Sequence, residues 1–175
     1  MIPGDSKPYG AVLGIAGWSG SGKTTLIEKL IPALARDGLR VSTVKHAHHQ
    51  AELDPAGKDS WRHRQAGALD VLLVTSNRWA LMHELRGEGE PELGALLTQL
   101  SPCDLVLVEG FKREPIDKIE VHRDRLGKPW LYPEDHRILA VISDVLPPDN
   151  MRYFGLEDIA SIAAFIRTTI IRRTN

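Results

Sequence analysis

Short apolar runs alternate with stretches of helical periodicity along this chain, a pattern that predicts strands joined by crossovers rather than a bundle or an all-β sandwich. Residues 11–16 (AVLGIA) predict a buried first strand, followed by a Gly-rich turn and a helix from about Thr24 to Asp37. Leu26, Ile27, Leu30, Ile31 and Leu34 recur at three- and four-residue spacing and form its expected inner face, with Gly38 as its stop. Pro32 removes one donor and crowds the Glu28 carbonyl, so a kink is expected there. Residues 39–45 (LRVSTVK) predict a second strand, and residues 46–58 a polar loop. A short helix from Asp59 to about Ala66 leads into a third strand at 69–75 (LDVLLVT). The run 79–83 (WALMH) follows too closely for a crossover, so antiparallel pairing at a sheet edge is expected. After a helix over 91–100, the most apolar run, 104–108 (DLVLV), predicts a central strand. Residues 119–122 and 137–142 predict further strands, and the last helix, about 156–172, is expected to bury Ile159, Ile162, Ala163, Ile166 and Ile170.

The chain has 175 residues, the size of one domain, and no repeat or linker divides it, so a single domain over 1–175 is expected. The fold class this predicts is α/β, a mostly parallel sheet with helices on both faces and an antiparallel edge. Twenty-two Lys plus Arg against 23 Asp plus Glu leaves a formal charge of −1, which argues against a general nucleic-acid binder. A single cysteine, Cys103, excludes an internal disulfide and any Cys-cluster metal site. No apolar run approaches the roughly 20 residues that span a membrane. A soluble protein of the cytoplasm, contacting neither membrane nor nucleic acid, is expected.

One motif carries most of the chemistry. Gly17-Trp18-Ser19-Gly20-Ser21-Gly22-Lys23-Thr24 matches G-x-x-x-x-G-K-[ST] without a gap, between a predicted strand and a predicted helix. Glycines let backbone N–H groups turn inward around a phosphate, and the helix N-terminus adds its positive end. Lys23 is expected to neutralise the β- and γ-phosphates of a nucleotide, and the Thr24 hydroxyl to ligate Mg²⁺. A further acid is needed at the metal. Ligands of open α/β sheets sit at the carboxyl ends of the strands, and five residues separate Asp104 from Glu109 by about 17 Å. Glu109 is therefore the candidate, with Asp104 a solvated residue at the strand's start, and Gly110 leaves room for backbone approach to a γ-phosphate.

The same edge nominates Lys45 and His46 after the second strand, residues 75–77 after the third, and Ser143 with Asp144 after the strand at 137–142. A carboxylate accepts two donors, so Asp144 suits the N1–H and N2–H₂ of guanine, and GTP is expected rather than ATP; as an ordinary turn or cap residue it would carry no such role. The Asn-Lys-x-Asp guanine motif is absent. His46, His48 and His49 suggest either a substrate loop or a Zn²⁺ or Ni²⁺ site. Residues 111–125 carry Lys112, Arg113, Lys118, Arg123 and Arg125, which suit a phosphorylated ligand, a protein partner or plain solvated surface. The four tryptophans, Trp18, Trp61, Trp79 and Trp130, are expected to pack rather than stack on ligands.

With these residues in place the chain resembles the MobB family of molybdopterin-guanine dinucleotide biosynthesis adapter proteins. The resemblance runs nearly end to end, through AGWSGSGKTTL, KLIPAL, VKHAHH, the D-x-x-GKDS stretch from Asp54 to Ser60, RQAGA, RWALM, DLVLVEGFK and AVISDV. It implies a P-loop fold, GTP and Mg²⁺ as cofactors, a homodimer, and weak hydrolysis of GTP. It also implies assistance to a MobA-type nucleotidyltransferase that joins GMP to molybdopterin. By resemblance, residues 17–25, including Thr25, hold the phosphates, and Glu109 occupies the acidic Walker B position. No Gln follows Glu109-Gly110 to position a water, so slow turnover is expected of Lys23 and Glu109 as the catalytic pair. A metallochaperone GTPase and a small-molecule kinase share the P-loop and remain the alternatives at this stage.

Overall fold

The computed structural model describes residues 7–47 and 54–171, which form two compact units, one within residues 1–46 and 93–175 and the other within 47–92.

The larger unit is built on six strands: β1 (Tyr9–Ala16), β2 (Val41–Lys45), β5 (Cys103–Glu109), β6 (Lys118–Val121), β7 (Ile138–Ser143) and β8 (Tyr153–Gly155). They lie side by side in the order β2-β5-β1-β6-β7-β8, and every neighbouring pair is parallel. Strand β5, between β1 and β2, has Leu105 through Val108 wholly buried, as an unbroken apolar run covered on both faces must be.

Alternate residues of the strands face opposite layers. On one face Ala11, Leu13, Ile15, Leu105, Leu107, Ile119, Val121, Ala140 and Ile142 pack under helix α1 (Lys23–Arg36) and the C-terminal helix α4 (Ile159–Phe165). Helix α1 contributes Leu26, Ile27, Leu30 and Leu34 and is continuous across Pro32. Helix α4 starts at Ile159 rather than Leu156, because the Asp158 carboxylate accepts the Gly155 amide at 2.9 Å and turns the chain first. It continues as a π-helical segment over Ile166–Ile170. On the opposite face Val106 and Val108 pack with Leu93 and Leu97 of the short helix α3 (Leu93–Leu97). Helices thus cover both faces, as the sequence predicts for this fold class.

The smaller unit carries helix α2 (Asp59–Gln65) and the strands β3 (Asp70–Val74) and β4 (Trp79–His83). The two strands pair antiparallel with Val74 opposite Trp79 and Asp70 opposite His83. They make a two-stranded sheet of their own rather than an edge of the main one. Arg64 of α2 is held by Glu84 at 2.6 Å and by Asp54. Trp79, expected to pack, is 62% exposed because a two-stranded sheet has a face that nothing in the unit covers.

Candidate functional site

Because the six strands are parallel, their carboxyl ends share one edge, and Ala16, Lys45, Glu109, Val121 and Ser143 all end there. The loop from Gly17 to Gly22 runs from β1 straight into α1, whose first residue is Lys23. Gly17, Gly20 and Gly22 all have positive φ. Gly17 shows why the first must be glycine: at φ 142° a Cβ would fall against the Val121 carbonyl oxygen and lie 2.7 Å from Ser21 Oγ. Ser21 is itself 1% exposed, and its hydroxyl finds no partner within the protein.

Lys23 folds back over this loop, its ammonium donating to the carbonyls of Gly17 at 3.1 Å and Trp18 at 3.0 Å. Burial lowers its pKa; Glu109 opposes that shift, and repulsion from Lys112 and Lys45 adds to it. A polyphosphate laid in the loop would supply the negative charge that this ammonium lacks.

Glu109 closes the site from the neighbouring strand. The Thr24 hydroxyl donates to its carboxylate at 3.0 and 3.2 Å, and Lys45 Nζ lies 3.7 Å away. Two oxygens on adjacent corners of a Mg²⁺ octahedron, each about 2.1 Å from the ion, lie about 3 Å apart. Thr24 and Glu109, hard oxygen donors already within 3.0 Å of each other, are the residues that would hold a Mg²⁺ ion here. Among the described residues no group of three or more His, Cys, Asp and Glu could hold a metal on protein ligands alone.

Asp104 lies at the opposite end of β5, away from this edge, but is not merely solvated. Arg40 grips it with Nη2 at 2.9 Å, Nε at 3.1 Å and its backbone N–H at 2.7 Å, holding the carboxyl at about 2.

The segment after Glu109 is tightly wound. Gly110 has φ 99° and a Cβ there would meet His46 Cβ at 2.6 Å; Phe111 follows with φ 43°. The His46 amide donates to the Glu109 carbonyl at 2.8 Å, and its ring lies 4.9 Å from that of Phe111. Lys45 and Glu109 at the ends of β2 and β5, with His46 and Gly110 directly after them, thus lie together at this edge. His48 and His49 lie outside the described residues. Thr25 is the third residue of α1, and Ser19 lies within the loop.

Asp144 sits after β7, where Oδ1 accepts the Asp124 amide at 3.0 Å and Oδ2 lies 3.9 Å from Arg123 Nη1. Arg123 in turn donates Nε–H to the Ser21 carbonyl at 3.2 Å, so Asp144 reaches the phosphate loop through one intermediate residue. The Asp124 amide lowers the Asp144 pKa against the effect of burial, with Arg123 assisting.

Glu120 and His122, which no sequence pattern singles out, lie along and just after β6 toward this edge; Lys118, named above for a phosphorylated ligand, a partner or solvated surface, instead starts that strand at its opposite end and is buried. Lys118, Glu120 and His122 alternate along β6, a spacing that suggests a solvent face, yet all are buried. Lys118 donates to the Glu114 carbonyl at 2.7 Å and to Asp135 at 2.9 Å. Glu120 accepts the amides of Leu131 and Tyr132 at 2.9 to 3.0 Å, which offset part of the upward shift that burial gives its pKa. The His122 ring stacks on Trp130 at 3.7 Å and 15°, and burial lowers its pKa. The one available signal was the aromatic run Trp130-Leu131-Tyr132, apolar enough to cover a polar strand.

The chain is similar to several known proteins. Two curated relatives, each described as molybdopterin-guanine dinucleotide biosynthesis adapter protein, come from Haemophilus influenzae and Escherichia coli. The first is 46% identical over 156 residues, 89% of this chain and 86% of the relative. The second is 42% identical over 158 residues, 89% of this chain and 90% of the relative. A crystal structure of molybdopterin-guanine biosynthesis protein B superposes with a TM-score of 0.73 at 34% identity, covering 90% of this chain and 97% of that one. The fold also matches the crystal structure of Bacillus subtilis MobB, with a TM-score of 0.69 at 22% identity over 91% of this chain and 98% of that one. Residues 12–144 match the family described as molybdopterin guanine dinucleotide synthesis protein B, and the chain belongs to this MobB family.

Proposed function

We propose that this protein is an adapter in molybdopterin-guanine dinucleotide biosynthesis that binds GTP with Mg²⁺ and assists a MobA-type nucleotidyltransferase in attaching GMP to molybdopterin. The observation that carries the nucleotide reading is the conjunction at one sheet edge of the glycine loop, Lys23, and the Thr24 hydroxyl 3.0 Å from Glu109. The family relatives carry the pathway reading.

In this account Lys23 and the loop amides hold the β- and γ-phosphates, and Thr24 and Glu109 hold the Mg²⁺. The ion would neutralise phosphate charge. Lys45 and His46 stand at the γ-phosphate side, and Asp144 faces the guanine edge. Hydrolysis is weak because the Glu109-Gly110-Phe111-Lys112 turn offers no Gln to orient a water, and an arginine or a Gln from a partner can each be worth orders of magnitude in such reactions.

The protein acts as a homodimer in the cytoplasm. One face of the β3–β4 pair supports self-association, since Leu72, Val74, Trp79 and Leu81 lie on it, each at least half exposed. Among the described residues no helix is long and apolar enough to cross a membrane.

The test is reconstitution with a MobA-type nucleotidyltransferase, molybdopterin, GTP and Mg²⁺. Added protein should raise the rate of dinucleotide formation, and Thr24→Val should abolish that gain. A rate unaffected by the protein would refute the adapter role.

A further inference from the structure

Trp18 stands at the first variable position of the phosphate loop, yet its side chain takes no part in the Lys23, Thr24 and Glu109 geometry. Its indole N–H donates to the Pro129 carbonyl at 2.8 Å, which fixes the ring against the segment before Trp130. Two ammonium groups approach that ring from different loops, Lys112 Nζ at 4.9 Å from its centroid and Lys128 Nζ at 5.7 Å. Neither lysine has a carboxylate partner among the described residues.

Two ammonium groups within 6 Å of one ring can each donate a charge-assisted hydrogen bond to a dianionic monoester. The indole is itself a flat surface on which a fused heterocycle can stack. Lys112 follows β5 and repels Lys23, which ties this ring to the phosphate loop.

We propose that Trp18, Lys112 and Lys128 form a second subsite beside the phosphate loop, which takes the phosphate monoester of a flat nitrogen heterocycle. This rests on the adapter reading above, which supplies a phosphorylated pterin as the ligand class. On binding, each ammonium leaves the indole for the phosphate, and the heterocycle takes its place over the ring.

The full-length protein, saturated with Mg·GDP so that the loop is filled, is titrated calorimetrically with 6-hydroxymethylpterin phosphate and with the corresponding alcohol. The phosphate should bind at least about tenfold more tightly than the alcohol. Lys112→Ala/Lys128→Ala should remove that advantage. Trp18→Ala should weaken both compounds, and Trp18→Phe should restore most of the loss. Lys7→Ala, which removes an ammonium 5.9 Å from the Tyr9 ring at the far end of β1, serves as the control and should change neither titration.

Equal affinity for phosphate and alcohol, an undiminished double lysine variant, or competition between pterin phosphate and GDP for one site would overturn the subsite. Absence of binding at millimolar ligand would do the same. These outcomes are separable from failure of the guanine reading, which shows instead as equal affinity for GTP and ATP.

Discussion

Replacing Gly17 by alanine tests the phosphate loop at its tightest point. At φ 142° the backbone occupies a region that side chains other than glycine rarely adopt, a strain of about 1–3 kcal/mol. The added Cβ also lies 2.7 Å from Ser21 Oγ and against the Val121 carbonyl. Carbon–oxygen contacts normally sit near 3.3 Å, so the methyl overlaps Ser21 by about 0.6 Å. Overlaps of this kind in packed regions cost about 1–3 kcal/mol. Together the terms predict a loss of about 2–6 kcal/mol if the loop holds its shape, which for a chain of this length is a fall in Tm of roughly 4–24 °C. If the loop relaxes instead, the melting loss shrinks and the cost moves to the ligand, since the amides around a phosphate are displaced. Calorimetric melting and GTP titration on the same Gly17→Ala sample follow both routes. A variant that melts within about 2 °C of the parent and binds GTP with unchanged affinity would show that the loop is not the tight cradle described.

Glu109→Gln keeps the shape of the side chain but removes the charge facing Thr24 and Lys45; GTP titrations should show a smaller gain in affinity from Mg²⁺ than in the parent, and an equal gain would place the ion elsewhere. Lys23 has a lowered pKa through burial in the free protein, and bound phosphate raises it, so binding takes up protons in the alkaline range. GTP affinity should therefore decline as pH rises toward 10.5, and Lys23→Ala should flatten that profile. Asp104 titrates at about 2 in the folded chain against 3.8 as its ordinary value, because Arg40 binds the ionised form. Its contribution to stability is complete above about pH 4 and lost as pH falls toward 2, and Asp104→Asn should remove that part of the acid slope in urea unfolding. Leu72→Glu/Val74→Glu should convert a dimer to a monomer in sedimentation analysis. Asp144→Ala should narrow the preference for GTP over ATP in paired titrations.

The phosphate loop was legible because its chemistry is local: eight consecutive residues between a strand and a helix specify both shape and donors. Glu109 was legible for a different reason, since strand length alone decides which of two acids in one strand can reach the loop, and its carboxylate lies 3.0 Å from Thr24. The buried face of β6 was not, because period-2 spacing reports that Lys118, Glu120 and His122 share a side but not what covers it. The cover comes from the irregular segment that carries Trp130, Leu131 and Tyr132, where the Leu131 and Tyr132 amides bond Glu120 and no periodicity announces the contact. Strand β8 escaped notice because three half-buried residues after a Pro- and Asp-rich turn leave no periodicity. The β3–β4 pair has a normal hairpin pattern, and alternation cannot tell an edge of a large sheet from a sheet of two strands. Asp104 shows the same limit in reverse, for its partner Arg40 belongs to the loop before β2 and no spacing rule links them.

The most direct test of the account is thermal melting with GTP or ATP, each with and without Mg²⁺. A ligand at 100 times its Kd adds about 2.7 kcal/mol, equivalent to roughly 5–11 °C in a chain of this size. GTP with Mg²⁺ should give the full rise, GTP alone less, and ATP at the same concentration a clearly smaller rise. Equal rises with GTP and ATP, or none with either, would contradict the account.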